Sequence, residues 1–507
     1  MPKYSPSLSS IKNLASQTLW YGVPTIVSRF LSYGLNLLGF RLFDAVNTSD
    51  LTQIYAVIPF LNILFTYGLE TSFFRFAQHK EKQTLYNTLT VSILISTVLL
   101  TALLFIFKNQ ITGFIELNDH PEYVTWMIWI IFFDTLSVLP FAKLRQEGRP
   151  KKYAFVKVAN ILINILFVCF FLFFSKQWYQ KEPDNPLLFF YSPHTGVGYF
   201  ILANLFASAL TLVFLFKELA SFRFVFNKRL WKEVIMYSYP LIIVGLGGMI
   251  NEMLSRLVYR KVLDIDPVIE KRELGIFGAN FKLAVLITIF IQVFRLGAEP
   301  FFFSQSGKED ARKTYARVLK FFVIACCMMF LVVALFLDVW KLLITSGFKE
   351  YGEGIHIVPI LAMASVFLGI YYNLSVWYKL TNRTMYGAYI TIAGAVITVL
   401  LNIWWIPIWG YTGAAWATFF CYAFMMMVSY TQGQKYYKIP YPWKKLTAYL
   451  VLTVLLFLLH HAVVSVTPGF AWLHHAIALI FITAFFVFIL KIEKKEFQRL
   501  PVIGKYI

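Results

Sequence analysis

Charge is scarce in this sequence. Asp, Glu, Lys and Arg make up 14% of its 507 residues, and the acids are outnumbered, 26 against 46 bases. Cysteine is scarcer still, at four residues. Cys169, Cys326, Cys327 and Cys421 all fall inside apolar runs, so they are expected to be small buried hydrophobes rather than disulfide partners or metal ligands. No stretch offers a large soluble domain. That absence argues against a nucleic-acid role despite the formal net charge of +20, because no basic soluble module exists to carry it. The loops hold no Walker A, paired metal-ligand or nucleophile motif, which argues against ATP-driven transport by this chain alone. No catalytic residue, cofactor or metal is expected. The N-terminus lacks the short apolar core and cleavage site of a signal peptide, and its first apolar run, from about residue 19 to 43, should stay as a span.

Apolar residues are what the chain has instead. They make up 59% of it, with a mean hydropathy of +0.65. Runs of roughly 20 apolar residues recur along the whole length, the signature of an all-α polytopic membrane protein. Fourteen helices are expected, over about 16–42, 51–77, 85–107, 122–143, 153–174, 196–216, 234–260, 275–302, 315–337, 355–378, 385–407, 411–430, 446–465 and 471–490. An even number puts both termini on one side. Lys and Arg are about threefold more frequent in the termini and alternate loops than in the other loops, so that side is expected to be cytoplasmic.

Three pairs of short matches repeat in order. Tyr21 and Pro24 of the first span match Tyr237 and Pro240 of the seventh. Gly68, Glu70, Phe73 and Phe74 of the second match Gly297, Glu299 and Phe301–Phe303 of the eighth. Thr195, Gly196, Gly198 and Tyr199 of the sixth match Thr412, Gly413, Ala415 and Trp416 of the twelfth. Six helices separate the copies, so both have the same orientation. This predicts two six-helix lobes in a parallel pseudo-two-fold repeat, with a substrate site between the halves. The expected organisation is an N-terminal lobe over 1–216, an interfacial linker over 217–233, a C-terminal lobe over 234–430, and two further helices with a basic tail over 431–507.

These residues resemble a known family. Gly275 to Phe303, GIFGANFKLAVLITIFIQVFRLGAEPFFF, is similar to the eighth span of bacterial oligosaccharide flippases of the polysaccharide transporter (Wzx-like) type. So are WYGVPTIVSRFLSYGLNLL, GLETSFFRF, YGAY and GYTGAAWAT, and the resemblance covers essentially the whole chain. It places the protein in the multidrug/oligosaccharidyl-lipid/polysaccharide exporter superfamily, beside multidrug and toxin extrusion pumps and the lipid II flippase. It implies export of a polyprenyl-diphosphate-linked oligosaccharide, an O-antigen, capsule or exopolysaccharide repeat unit, across the inner membrane of a bacterium. Membrane lipids and a polysaccharide polymerase are the partners it implies, with the chain working as a monomer. The alternatives are a cation-coupled multidrug exporter of the same fold and a lipid II flippase.

Ionised groups inside apolar spans are costly and mark functional candidates. Arg29 lies about 13 residues into the helix expected over 16–42, near mid-bilayer at 1.5 Å per residue, on one face with Thr25, Ser28, Ser32 and Asn36. Its alternative role is structural, bonded to carbonyls of a neighbouring helix. Arg75 lies near the cytoplasmic end, where snorkelling explains it equally well; Glu70 is about 7 Å deeper. Glu252 and Arg256 are four apart on the seventh span, as are Arg295 and Glu299 on the eighth, so each can pair along its own helix. Lys282 lies further out on the eighth span. Lys157, Asn160 and Asn164 form a stripe on the fifth, where Lys157 is close enough to the cytoplasmic end that snorkelling is the favoured reading, and Asp134 is a lone acid on the fourth, either a bonded structural residue or a partner for one of these cations. The resemblance implies that cations of the first, second and eighth spans surround a central cavity, which carries over to Arg29, Arg75 and Arg295. Arg256 and Lys282 are further candidates for binding diphosphate, whose oxygens a guanidinium fork meets in pairs. Glu70, Glu299, Glu252 and Asp134 are candidate coupling or salt-bridge acids. His460, His461, His474 and His475 gather at the outer loop of the last hairpin and are expected to be interfacial rather than metal-binding.

Overall fold

A computed structural model describes residues 8–498 apart from 184, 264, 306–308 and 382; the side chains of 8–22, 25, 187, 296, 297, 299, 300, 304 and 497 fall outside the described set. Among the described residues the fold is all helical. The main helices are α1 (Leu8–Leu42), α2 (Ala45–Thr66), α3 (Leu69–Phe76), α4 (Lys82–Ile106), α5 (Pro121–Gln146), α6 (Pro150–Cys169), α7 (Tyr199–Phe214), α8 (Lys228–Leu263), α9 (Pro267–Gln305), α10 (Ala311–Leu335), α11 (Val358–Leu374), α12 (Met385–Tyr436), α13 (Trp443–Val466) and α14 (Ala471–Ile492).

Twelve helices among the described residues are long and apolar enough to cross a membrane. The chain is therefore a multi-pass membrane protein, although this criterion does not reach the expected fourteen. α1, whose side chains are described only in part, is not among the twelve, and α12 counts once where two spans are expected. The span over Ala45–Phe76 is α2 and α3 together, broken where Tyr67 and Gly68 both take left-handed conformations (φ 33° and 74°). α12 runs for 52 residues without a loop, far longer than the roughly 20 that cross a bilayer. It turns at Gly410 (φ 54°, ψ −135°), and the Tyr386 hydroxyl at one end donates to the Tyr436 hydroxyl at the other, 2.7 Å away. α12 is thus a helical hairpin over the expected eleventh and twelfth spans. Exposed Trp404 and Trp409 flank its turn, as aromatic rings do at a membrane–water boundary. Gly196, just before α7, has nearly the same backbone (φ 49°, ψ −124°). By conformation the glycine equivalent to Gly196 is Gly410, three residues before the Gly413 matched by sequence.

Local chemistry sets the helix starts. The Asp44 carboxylate accepts the Asn47 backbone N–H at 2.9 Å and caps α2. Pro121, Pro150 and Pro267 occupy the first positions of α5, α6 and α9, where the missing N–H costs nothing.

The chain divides into two compact units, Met1–Gly278 and Ala279–Ile507, a boundary inside α9. In the first, α1 packs on α6, α5 and α6 pack on α7, and α8 packs on α2, α3 and α4. The seventh span, expected to open the C-terminal lobe, thus groups here with the first six. Close fits hold it: Ser72 Oγ lies 2.6 Å from Ser238 Oγ, and a Cβ on Gly68 or Gly245 would press on Leu241 or Ile63. In the second unit, α10 packs on α11, α13 and α14, and α11 lies along α12.

Candidate functional site

Polar side chains that the apolar pattern scatters over five elements meet inside the first unit. They line a cavity of about 390 Å³. That would hold about a dozen waters at ~30 Å³ each and falls within the usual size range of small-molecule sites. α2 contributes Asn62 and Thr66, α3 Glu70, α5 Asp134 and Ser137, α6 Tyr153, Lys157 and Asn160, and α7 Asn204, Ser208 and Thr211.

Three charges face this space. Lys157 lies with its ammonium 4.2 Å from the Phe141 ring centre and senses the carboxylates of Asp134 and Glu70. Asp134 has Ser208 beside it and Lys157 as its opposing charge. No ion pair joins Asp134 to Lys157 among the described residues; the two act across the cavity. Glu70, in the first turn of α3, is paired with Arg145 of α5 at 2.8 Å, and Arg145 also stacks over Phe74 at 4.8 Å. The Asn160 amide donates to Thr211 Oγ1 at 3.0 Å, tying α6 to α7 on the cavity wall. An acid facing a lysine in a chamber walled by apolar helices can take up a proton or a small cation, because interactions shielded from bulk water are strengthened there.

The expected site residues lie in three settings. Asp134 and Glu70 line the cavity. Arg29, Arg75, Glu252 and Arg256 are elsewhere in the first unit. Arg29 is exposed on α1 and makes no ion pair among the described residues; Glu252 of α8 is the charge it senses. Arg75 lies over the Tyr237 ring at 4.1 Å. Arg256 is buried and donates to Met253 Sδ at 2.9 Å along its own helix. Lys282 and Arg295 belong to the second unit, where Lys282 is half-buried and Arg295 lies 4.7 Å from the Tyr372 ring centre. Glu299 lies outside the described residues. Reading the sequence missed Arg145, Asn62, Asn204, Ser208 and Thr211. Asn62 and Asn204 are isolated amides in apolar runs; Arg145 lies beyond the helix end expected at 143, and α5 continues to Gln146.

The four histidines of the last hairpin serve local ends. His460 bonds the His474 carbonyl at 3.1 Å, His474 bonds Thr467, His475 pairs with Asp338 at 2.6 Å, and His461 stacks on Phe457.

Two further carboxylates anchor segments outside the spans. Glu218, between α7 and α8, receives Lys152 at 2.5 Å and Arg149 at 2.7 Å. Burial pushes its carboxyl up, but Lys152 and Arg149 outweigh that and hold it below the ordinary range. Glu493, just after α14, is 1% exposed and takes Lys320 Nζ, Lys445 Nζ and the Tyr449 hydroxyl. Burial again pushes up, and these three donors bring the carboxyl below its usual value.

The helices and the polar chamber within them define an all-α, multi-pass membrane protein. One comparison is with the lipid II flippase MurJ in an inward closed conformation: TM-score 0.70, 14% identity, covering 93% of this chain and 98% of that one. An inward-facing multidrug resistance MATE family transporter of the MOP superfamily superposes with a TM-score of 0.60 at 15% identity, covering 85% and 95%. The Vibrio cholerae MATE transporter VcmN in its bent form gives 0.56 at 12%, covering 87% and 99%. At these identities the likeness is one of fold. No curated protein matches the chain. The family model described as polysaccharide biosynthesis protein matches residues 14–304, more than half of the sequence. The chain belongs to that family.

Proposed function

We propose that this protein is a flippase, not an enzyme, and that it carries a polyprenyl-diphosphate-linked oligosaccharide from the cytoplasmic to the outer leaflet of a bacterial inner membrane by alternating access. Both termini are proposed to be cytoplasmic. The observation that carries the reading is Arg29. In a chain of the polysaccharide biosynthesis family, a guanidinium far along an apolar helix has no carboxylate in contact with it among the described residues. An ionised side chain within an apolar span is costly, and one with no carboxylate in contact suits an anionic ligand that arrives and leaves. Arg75, Arg256, Lys282 and Arg295 are proposed as further diphosphate contacts. The Asp134–Lys157 cavity is proposed as the coupling site, where uptake of a proton or cation on one side drives the cycle. Outward movement of each negative charge would also gain about 2.3 kcal/mol per 100 mV of inside-negative potential.

The test is flipping by purified protein in liposomes, with a fluorescent polyprenyl-diphosphate oligosaccharide and an outer-leaflet quencher. Parent activity that falls at least tenfold in Arg29→Ala and Arg295→Ala supports the reading. Parent activity untouched by either change keeps the flippase and discards those contacts. The second reading, a cation-coupled exporter, is favoured by the acid in the cavity, Asp134. Uptake of an organic cation under an ion gradient, with no lipid movement, would establish it instead.

A further inference from the structure

At the end of the first unit away from the basic loops, two distant segments bring a second set of ionisable groups together. His120 ends the segment before α5, and Glu122 lies in the first turn of α5. His194 belongs to the 3-10 turn Pro193–Gly198 that leads into α7. His120 Nδ1 and Glu122 Oε1 are 2.8 Å apart. The His120 and His194 rings lie 4.9 Å apart, tilted by 50°. One ligand atom from each of the three residues falls within 4.8 Å of the other two.

The scaffold under these side chains is fixed. Tyr123, 1% exposed, stacks flat on His120 at 4.5 Å with 3° between the planes. Its hydroxyl donates to the Thr195 carbonyl at 2.6 Å and accepts the Gly198 N–H at 3.2 Å. A Cβ at Gly198 would run into the Tyr123 ring, so glycine is what lets the turn come this close. One buried tyrosine thus supports His120 with its face and holds both sides of His194's turn with its hydroxyl. The two ligand-bearing segments are set relative to each other before any ion arrives.

We propose that His120, Glu122 and His194 form a binding site for a divalent transition-metal ion of the zinc class. Two imidazoles and one carboxylate are a set that zinc accepts, with nitrogen at about 2.0–2.1 Å and oxygen at about 2.0–2.2 Å, leaving a fourth position for water. Calcium and magnesium require mostly oxygen and are disfavoured. Exposed His194 gives the entry path. Bringing the three atoms onto one ion replaces the His120–Glu122 hydrogen bond and needs only side-chain rotation. The site lies about 18 Å along α5 from Asp134, counted over twelve residues at 1.5 Å each. It is separate from the polar cavity and does not depend on the transport reading. A bound ion would clamp the start of α7 to the start of α5.

The experiment is calorimetric titration of zinc chloride into full-length protein carrying no histidine tag, stripped with chelator and held in detergent. One equivalent per chain is expected, with affinity falling at least tenfold in His194→Ala and in Glu122→Gln and unchanged in His461→Ala. Zinc should raise the melting midpoint of the parent and of His461→Ala, and should leave those of His194→Ala and Glu122→Gln unmoved. His194→Cys, which restores a zinc ligand, should bind again, so a fall caused by misfolding is told apart from loss of a ligand. No saturable zinc binding by the parent, equal binding by the parent and both ligand variants, or no recovery in His194→Cys would each overturn the site.

Discussion

Glu493 and Asp134 are both acids set among apolar helices, and their surroundings treat them in opposite ways. Glu493 is closed off, with two lysines and a tyrosine directed at its two oxygens. Asp134 faces a lysine across about 390 Å³ of open space. The first arrangement is largely satisfied and holds α10, α13 and the end of α14 together. The second leaves both charges able to respond to what enters. Function in such a chain is therefore sought where charges remain incompletely matched, and structure where they are saturated.

Breaking the saturated side should have the largest effect. Glu493→Gln leaves Lys320 and Lys445 facing a neutral amide, and loss of one member of a buried pair costs about 3 kcal/mol or more. The expected outcome is a markedly lower melting midpoint in detergent, with transport per folded molecule unchanged. Acid should reach the same contacts in the parent. Glu218 and Glu493 titrate below their unfolded value of about 4.3, so their contribution is complete above that pH and is lost as pH falls through their folded values. A scan of the melting midpoint should be flat with respect to these groups above pH ~5 and decline below pH ~4.3, and Glu493→Gln should decline less.

The unsaturated side should respond in the other currency. Asp134→Asn keeps the shape of the cavity and removes the charge. Its melting midpoint should stay close to the parent's while transport falls at least tenfold, about 1.4 kcal/mol of barrier. Transport at the parent's rate would remove the coupling role from this cavity. The smallest effect on stability is expected at Arg75, which lies over the Tyr237 ring: Arg75→Ala should cost about 1 kcal/mol, read as a slight fall in midpoint, and Arg75→Lys less.

The membrane class and most helix positions were legible because lipid demands long apolar runs and leaves few other solutions. The expected helices over 196–216 and 446–465 differ from α7 and α13 by at most three residues at either end. The break at Tyr67–Gly68 was not legible, since a left-handed pair interrupts the backbone without interrupting hydrophobicity. The cavity was half legible. Asp134 and the Lys157–Asn160 stripe stood out as polar atoms in apolar runs, but helical periodicity says which face is polar and not which other face it meets. For that reason Glu70's partner, Arg145, went unnoticed. The three zinc-class ligands were missed for the same reason: a search for local spacing finds His460 and His461, while His120 and His194 are brought together only by packing.

The hairpin that turns at Gly410 bears on how the chain is made. Its arms share a backbone turn with no intervening loop, so neither arm has a connector that can wait on the far side of a bilayer while the other is synthesised. Entry of residues 385–436 is therefore expected to be one concerted event, completed only once Tyr436 has left the ribosome. For this part of the protein the unit of biosynthesis is the pair of helices, and a substitution that stiffens the turn would be felt as lost yield before any change in activity could be measured.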